Sequence, residues 1–313
     1  MKLEYGHLKP MEPRSRKEPF DSKEYIYQVK WDGVRIISFI YEKKIRLQNR
    51  KLRARTAIYP DFHNLYQYIK ANQAIIDGEM VVLINGKPNF RGILRRDLKT
   101  DENAINVAVH RYPATYVAFD LLALNGEDIT GRPLEERLGL LKEIAIPHDY
   151  FQVIDNFEQG KSLYNAIEKA ELEGIVAKKR TSPYLLDQKS DYWLKVKTSK
   201  DIIAIVCGYT IKDRMLSSLI MGIYLEDRLH YIGNVATGLT ADDRKILFQN
   251  LKKLEVEESP FSKKPKMYGV TVKWVSPLLT AKIEFMEWTG NYQLRAPVIL
   301  GFTKEKPENC QLV

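Results

Sequence analysis

The chain has 313 residues, of which 44% are hydrophobic and 11% aromatic, values that are typical of a globular protein. No window approaches the roughly 18 uncharged apolar residues of a membrane span, and the charged N-terminus lacks the apolar segment of a signal peptide. We therefore expect a cytoplasmic protein without membrane contact. The net charge of +9 favours a polyanionic partner such as nucleic acid, because basic side chains release counterions when they bind phosphates.

The positive charge is concentrated in two segments, which favours nucleic acid over an evenly solvated basic surface. The two segments contain Arg91, Arg95, Arg96 and Lys99, and then Lys178, Lys179, Arg180, Lys189, Lys195, Lys197 and Lys200. The two cysteines, Cys207 and Cys310, agree with a reducing compartment and are too few for a zinc site.

The first two thirds of the chain mix strand and helix patterns. Residues 1–22, rich in Pro, Lys and Arg, predict an irregular arm. Alternating apolar residues predict strands at 25–30, 34–41, 44–48, 73–85 and 115–123. Helical periodicity occurs near 60–71, 134–145 and 161–172. This mixture predicts an α+β fold.

The polar stretch 197–201 marks a change in the pattern. Strands are predicted at 202–209, 218–225, 229–235 and 270–276, with one helix at about 240–253. Several short strands and one helix in about 110 residues suit a small oligonucleotide-binding (OB-fold) β-barrel. We therefore predict a first domain at 1–197 and an OB-fold domain at 198–313.

The segment Lys30-Trp31-Asp32-Gly33-Val34-Arg35 places a lysine at the end of an apolar strand, before an Asp-Gly turn. Taken alone, it is equally well explained as an ordinary β-hairpin. A lysine attacks phosphorus only as the free amine, which is scarce at neutral pH because the ordinary lysine pKa is about 10.4. Nearby cations such as Lys195 and Lys197 favour the neutral amine and so activate a lysine nucleophile.

Further motifs follow Lys30 along the chain. They are Asn49-Arg50, Asp77-Gly78-Glu79, Phe119-Asp120, Glu173-Gly174-Ile175-Val176-Ala177-Lys178, Trp193-Leu194-Lys195-Val196-Lys197 and Arg295-Ala296-Pro297. Their order and content resemble the covalent nucleotidyltransferases: ATP-dependent DNA ligases, RNA ligases and mRNA-capping guanylyltransferases. The chain most resembles the ligase module of bacterial end-joining DNA ligases, from about residue 10 to the end. The resemblance implies an adenylation (nucleotidyltransferase) domain of antiparallel sheets and helices, followed by an OB-fold domain.

The resemblance also implies a role for each motif residue. Lys30 becomes the AMP-lysine, Glu79 binds the ribose hydroxyls, and Phe119 stacks on the purine, although an apolar pattern by itself favours a core position for this ring. The resemblance further implies that Arg35 and Arg50 contact phosphate or sugar. Lys195 and Lys197 would contact the α-phosphate, and Arg295 would contact the pyrophosphate.

Two acidic positions are candidates for a divalent cation. Glu173 is expected on an apolar strand, where a lone carboxylate is costly to bury, and the resemblance assigns it to Mg²⁺, with Mn²⁺ as an alternative. Asp32 either supports the metal or holds the turn. Gln28 occupies a position where relatives usually have a glutamate that receives the adenine amino group. Its amide can accept from adenine or donate to guanine, so the choice of base stays open.

The function predicted from these motifs is ATP-dependent sealing of nicks in duplex DNA, in repair or end joining, by a monomer that is associated with the nucleoid when bound to DNA. Partners such as bacterial Ku or other repair proteins are compatible with it. An RNA ligase or a capping guanylyltransferase is the alternative enzyme. A catalytically silent nucleic-acid-binding module is the alternative from another class.

Overall fold

The computed structural model describes residues 7–289 and 291–311. The chain forms two compact units, Met1–Thr198 and Ser199–Val313. None of the helices in the described part of the chain has the length and apolar character that a membrane crossing requires. Antiparallel sheets dominate both units and helices are few, which confirms the predicted α+β class.

The first unit contains eleven strands and four α-helices among its described residues. The strands are β1 (Glu12–Ser15), β2 (Tyr25–Val29), β3 (Val34–Tyr41), β4 (Lys44–Asn49), β5 (Gln73–Ile84), β6 (Lys87–Pro88), β7 (Ala114–Leu124), β8 (Glu127–Asp128), β9 (Phe151–Val153), β10 (Gly174–Lys179) and β11 (Lys189–Lys197). The helices are α1 (Phe90–Asp97), α2 (Glu102–Arg111), α3 (Leu134–Ile144) and α4 (Gly160–Lys169).

The larger sheet of this unit has the order β4-β3-β5-β7-β8, with β6 added to β5 and β9 to β7. Successive side chains of its central strands point to opposite faces, and both faces pack into a hydrophobic core. In β3, Ile36 and Ile40 enter a core that also contains α3 residues. Ile37 and Phe39 enter a second core that contains Trp193 of β11. The sheet is therefore covered by helices on one face and by the smaller sheet on the other.

The smaller sheet has the order β1-β11-β10-β2, and only the β1–β11 pair is parallel. One of its faces packs against α4 through Tyr27, Ile175, Ala177 and Val196. The alternate residues of β2 and β10 therefore face the larger sheet.

Residues 30–33 connect the two sheets rather than closing a hairpin. β2 pairs with β10 in the smaller sheet, whereas β3 pairs with β4 and β5 in the larger one, so the Asp-Gly hairpin interpretation is wrong. At Gly33, a Cβ atom would lie 2.3 Å from the carbonyl oxygen of Met80 and 2.8 Å from Cγ of Glu79. Glycine is required here because the connection passes directly against β5.

Two predictions for the first unit are wrong in detail. The predicted helix at 60–71 is a series of 3₁₀ turns, because the three-residue spacing of Phe62 and Leu65 suits a 3₁₀ turn as well as an α-helix, and the segment contains several aromatic residues, which have lower helix propensity. The predicted irregular arm includes β1, which gains its pairing from the distant β11. Helices α1 and α2 were not predicted.

The charge cluster at 91–99 is partly internal. Arg96 is fully buried, pairs with Asp61, and places its guanidinium 4.8 Å from the ring centre of Tyr59. This arginine therefore stabilises the helical face of the unit and is not part of a nucleic-acid surface.

Among its described residues, the second unit contains a six-stranded antiparallel sheet and one α-helix. Its elements are β12 (Lys200–Lys212), β13 (Met215–Leu225), β14 (Arg228–Val235), α5 (Ala241–Leu251), β15 (Glu255–Val256), β16 (Thr271–Phe285) and β17 (Val298–Thr303). The strand predicted at 270–276 continues to Phe285, and β17, which pairs with β16, was missed. Pro277 lies in an irregular stretch of the β12–β16 pairing, between Trp274 and Leu279, so a proline costs no ladder hydrogen bond there.

The close approach at Gly33 generates a prediction. Gly33→Ala should lower the free energy of unfolding by about 1–3 kcal/mol, because the new methyl group meets a backbone carbonyl that cannot move aside. Gly131→Ala is the matched control, since a Cβ atom there meets nothing within 4 Å. Urea unfolding of both variants measures the effect, and equal stability of the two variants would contradict the proposed crowding.

Candidate active site

A cleft of about 550 Å³ opens between the two sheets of the first unit, a size within the usual range for small-ligand sites. Its lining is rich in basic side chains, which suits a polyphosphate ligand. These side chains are Lys30, Arg35, Arg50, Lys51, Arg53, Arg55, Lys178, Lys195 and Lys197. Acidic residues also contribute to the lining, namely Glu12, Asp32, Glu79, Asp97 and Glu173.

The carboxylate of Glu173 lies between two lysines at one end of the smaller sheet. Nζ of Lys30 donates to Oε2 of Glu173 at 2.6 Å, and Nζ of Lys197 lies 3.0 Å from Oε1. The backbone fixes this arrangement, since the amide of Lys30 donates to the carbonyl of Gly174 and the amide of Thr198 donates to that of Glu173. Glu173 directly precedes β10 rather than lying within a strand, as the sequence pattern predicted.

The neighbouring lysines determine the protonation state of the Glu173 carboxyl group. Burial by itself raises the pKa of Glu173, but the ammonium groups of Lys30 and Lys197 outweigh it, and the pKa is lowered. Glu173 is therefore a carboxylate at neutral pH. Lys195, opposite Val176 in the β10–β11 pairing, has a lowered pKa because of burial, with further contributions from Lys197 and Lys30.

Glu79 lies on β5, opposite Arg35 of β3, and also lines the cleft. Burial raises the pKa of Glu79 to about 8, although the charges of Lys30 and Arg35 oppose the shift. At neutral pH its carboxyl group is thus mainly protonated and can donate a hydrogen bond as well as accept one. Asp32, in the connection between the sheets, lines the same cleft.

The guanidinium of Arg35 is held inside the unit by a buried carboxylate. Its Nε and Nη2 atoms donate to the two carboxylate oxygens of Asp77 at 3.0 and 2.5 Å, and Nη2 also contacts Oη of Tyr184 at 3.1 Å. Asp77 is fully buried and receives a further hydrogen bond from Tyr184. Most of the donor capacity of Arg35 is therefore used within the protein, a pairing that the sequence did not reveal.

Phe119 lines the cleft from β7 and lies edge-on to Trp193 of β11, with ring centres 6.1 Å apart. Lys178 lies beside both rings. Its Nζ donates to the carbonyl of Phe119 at 2.9 Å and lies 4.0 Å from the ring centre of Trp193. Burial lowers the pKa of Lys178 to about 7, and Asp120 and Asp77 oppose the shift.

Lys178 was predicted as part of a basic surface, which is wrong because only 2% of it is exposed. Its strand position could have been noticed, since it is two residues after Val176 on the same face of β10. The aromatic rings that enclose it come from distant parts of the sequence.

The side chain of Gln28 is buried at the cleft, opposite Val176 in the β2–β10 pairing. Its Nε2 donates to Oδ1 of Asn156 at 2.7 Å. Asn156 lies outside every motif, and no sequence signal indicated this contact.

Arg50 lies at the exposed rim of the cleft, in the turn after β4. The side chain of Asn49 organises this turn, because its Oδ1 accepts hydrogen bonds from the amides of Lys51 and Arg53. Arg295 belongs to the second unit, where it forms an ion pair with Glu287 at 2.7 Å. The structure thus brings together all the predicted site residues of the first unit around one cleft.

Both units match family models. Residues 12–197 match the ATP dependent DNA ligase domain, and residues 212–306 match the ATP dependent DNA ligase C terminal region. This chain belongs to the ATP-dependent DNA ligase family. The predicted family is therefore confirmed, and with it a nucleotidyltransferase fold followed by a C-terminal domain of the OB-fold type.

Individual relatives agree with this assignment. The chain is 31% identical over 208 residues to the SPbeta prophage-derived DNA ligase-like protein LigB of Bacillus subtilis, covering 66% of this chain and 73% of that protein. It is 27% identical over 293 residues to the multifunctional non-homologous end joining protein LigD of Mycolicibacterium smegmatis, covering 92% of this chain but only 37% of LigD. The chain therefore spans little more than a third of that LigD protein.

Solved structures show the same architecture. The mycobacterial DNA ligase D complexed with ATP and MES is 26% identical, with a TM-score of 0.57 over 98% of this chain and 99% of that one. A Lig E DNA ligase described as binding DNA with a minimal scaffold shares the fold at 17% identity, with a TM-score of 0.62 over 93% of this chain and 99% of that one.

The raised pKa of Glu79 predicts a pH-dependent stability for this ligase domain. Between about pH 4.5 and 8 the unfolded chain has released the Glu79 proton while the folded chain retains it, so stability decreases as the pH rises through this window. Glu79→Gln removes this contribution. As the pH increases, the free energy of unfolding of Glu79→Gln should therefore rise relative to that of wild type. The difference should grow by at most about 1.4 kcal/mol per pH unit.

Urea unfolding at several pH values between 5 and 8 measures this difference. Glu143→Gln, at an exposed position on α3, is the matched control and should follow the wild-type pH dependence. Parallel curves for wild type and Glu79→Gln would contradict the assignment of a protonated Glu79.

Proposed function

We propose that this chain seals nicks between a 5′-phosphate and a 3′-hydroxyl in duplex DNA, with ATP as the source of energy and Lys30 as the nucleophile that carries AMP. The observation that supports the proposal best is the position of Lys30. Its amine lies at the boundary of a cationic cleft, beside Lys195 and Lys197, and is oriented by a carboxylate 2.6 Å away. A cleft of this charge favours a triphosphate, and family membership supplies the reaction.

The reaction proceeds in three transfers. The Lys30 amine loses a proton and attacks the α-phosphorus of ATP, so that an N–P bond forms, the bond between the α-phosphorus and the bridging oxygen breaks, and pyrophosphate leaves. A 5′-phosphate oxygen of the nick then attacks the same phosphorus, so that an O–P bond forms, the N–P bond breaks, and the Lys30 nitrogen takes up a proton as it leaves. Finally the 3′-hydroxyl loses its proton, attacks the 5′-phosphate and displaces AMP, which seals the strand.

Glu173 orients Lys30 in the first transfer. A carboxylate with a lowered pKa is a weak base, so its main contribution is to position the amine at the end of β2 rather than to take its proton. Lys195 and Lys197 neutralise oxygens of the α-phosphate as the bond order at phosphorus changes. The protonated carboxyl of Glu79 suits ribose hydroxyls, because it can donate to one and accept from another.

A divalent cation fits this donor set when the nucleotide is bound. Within the described residues, no group of three or more His, Cys, Asp or Glu side chains could hold a metal by itself. Mg²⁺ commonly takes one or two carboxylates and completes its shell with phosphate oxygens and waters, and Glu173 and Asp32 line the cleft that would receive the phosphates. The ion, Mg²⁺ or Mn²⁺, supplies positive charge that neutralises the triphosphate.

The wider role of the chain follows from its relatives. LigD is named for non-homologous end joining and LigB as DNA ligase-like, so we place this ligase in DNA repair. For Arg295 of the second unit, the family resemblance implies a role in orienting the pyrophosphate during the first transfer, and this role stays a prediction. Assistance from an end-binding protein such as bacterial Ku stays a prediction.

If Lys30 carries AMP, its substitution should abolish formation of the covalent adduct but not the final sealing of an adenylated nick. Lys30→Ala should lose the covalent adduct with α-labelled ATP, and with it ATP-dependent sealing, because no other amine replaces the missing nucleophile. The same variant should still seal a nick that already carries AMP on its 5′-phosphate, since the last transfer does not use the Lys30 amine. Gel electrophoresis of the labelled protein and of the DNA products measures both outcomes.

Lys43→Ala, in an exposed turn, is the matched control and should form the adduct at the wild-type rate. Persistent labelling of Lys30→Ala would contradict the assignment. Parallel reactions with labelled GTP and with nicked RNA distinguish the alternatives, because a capping enzyme prefers GTP and an RNA ligase seals RNA much faster than DNA.

A further inference from the structure

The contact between Gln28 and Asn156 lies at the wall of the proposed nucleotide cleft, which the Gln28 side chain lines. Gln28 lines the cleft together with Phe119 and Val176, the aromatic and the aliphatic side chain that pack against one shared core. Gln28 itself is almost fully buried, and its side-chain amide is hydrogen-bonded to Asn156. A buried amide at an apolar, aromatic wall is suited to reading the hydrogen-bonding edge of a planar ligand.

Asn156 is held in place by the backbone on both sides. Phe157 and Tyr27 exchange two backbone hydrogen bonds, at 2.9 and 2.8 Å, which join the loop to β2 next to Gln28. The amide of Ile154 donates to the carbonyl of Ala118 at 2.9 Å, which joins the same loop to β7 beside Phe119. The partner of Gln28 therefore comes from a segment that is anchored to both walls of the cleft.

Two facing amides can pair in only two reciprocal ways. Either Gln28 donates and Asn156 accepts, or Gln28 accepts and Asn156 donates. In the structure Nε2 of Gln28 donates to Oδ1 of Asn156, whereas Oε1 of Gln28 accepts no hydrogen bond from the described residues. The carbonyl oxygen of Gln28 is thus the group that is left for a ligand.

The two purines differ at the position that such a group would read. Adenine carries an amino group on C6, which donates hydrogen bonds, whereas guanine carries a carbonyl oxygen there, which accepts them. The carbonyl oxygen of Gln28 therefore suits the amino group of adenine. With guanine, this oxygen would face the carbonyl oxygen on C6, and two acceptors cannot form a hydrogen bond. A rotated amide would reverse this preference.

We propose that Asn156 is a specificity-determining residue that selects ATP over GTP by fixing the orientation of the Gln28 amide. Asn156 acts through Gln28 and is thus a positioning residue, and the proposal rests on the adenylation function proposed above. An ionised glutamate at position 28 could only accept hydrogen bonds and would select adenine by itself. In this chain, Gln28 and Asn156 together would provide the same selectivity.

Asn156→Ala should release the Gln28 amide to rotate. The ratio of adduct formation rates with α-labelled ATP and α-labelled GTP should then fall about tenfold, the scale of one hydrogen bond gained or lost. Asn156→Asp offers only acceptor oxygens, so it should retain the donor orientation of Gln28 and keep the wild-type ratio.

Two further variants separate orientation from general damage to the site. In a Gln28→Glu background, Asn156→Ala should leave the ratio unchanged, because a carboxylate presents an acceptor in either orientation. Asp155→Ala, at the exposed neighbouring position, is the matched control and should keep the wild-type ratio.

An unchanged ratio in Asn156→Ala, or an equal fall of the ratio in Asn156→Asp, would overturn the proposal. Neither result touches the proposed function, provided that the wild-type protein forms the ATP adduct. Failure of wild type to form an adduct with either nucleotide would instead reject the proposed function itself.

Discussion

The shared ion pair of Glu173 with Lys30 and Lys197 is the interaction on which the site depends. Only 7% of the Glu173 side chain is exposed, and a carboxylate buried to this extent is costly unless it is paired and hydrogen-bonded. The two lysines provide that pairing, Lys30 just after β2 and Lys197 at the end of β11, while Glu173 directly precedes β10. One electrostatic requirement therefore fixes three neighbouring strand ends and aims the Lys30 amine into the cleft.

The path of the chain after Lys30 gives this ion pair its functional setting. Because residues 30–33 cross from one sheet to the other, Lys30 lies between two walls rather than on a hairpin surface. One wall carries Lys178, Lys195 and Lys197, and the other carries Glu79 and Phe119. The positive charge of the first wall faces the cleft, where a polyphosphate can neutralise it.

Much of the site could be predicted from the sequence because its motifs are short and their residue types match the chemistry. The strand-end lysine and Glu79 required no knowledge of long-range pairing. The hairpin interpretation failed because the pairing of β2 with β10 leaves no local signal, and Lys178 was misplaced because Phe119 and Trp193 bury it from distant strands. The overall α+β class followed from periodicity, whereas β1 and the 3₁₀ turns depend on tertiary packing.

Among several lysines in one cationic cleft, we propose that the amine of Lys30 forms the bond to AMP. Proteolysis and mass spectrometry of the wild-type protein after incubation with ATP test it most directly, because the modified peptide identifies the attacking side chain. We expect AMP on Lys30 alone. Attachment of AMP to Lys178, Lys195 or Lys197 instead would contradict it.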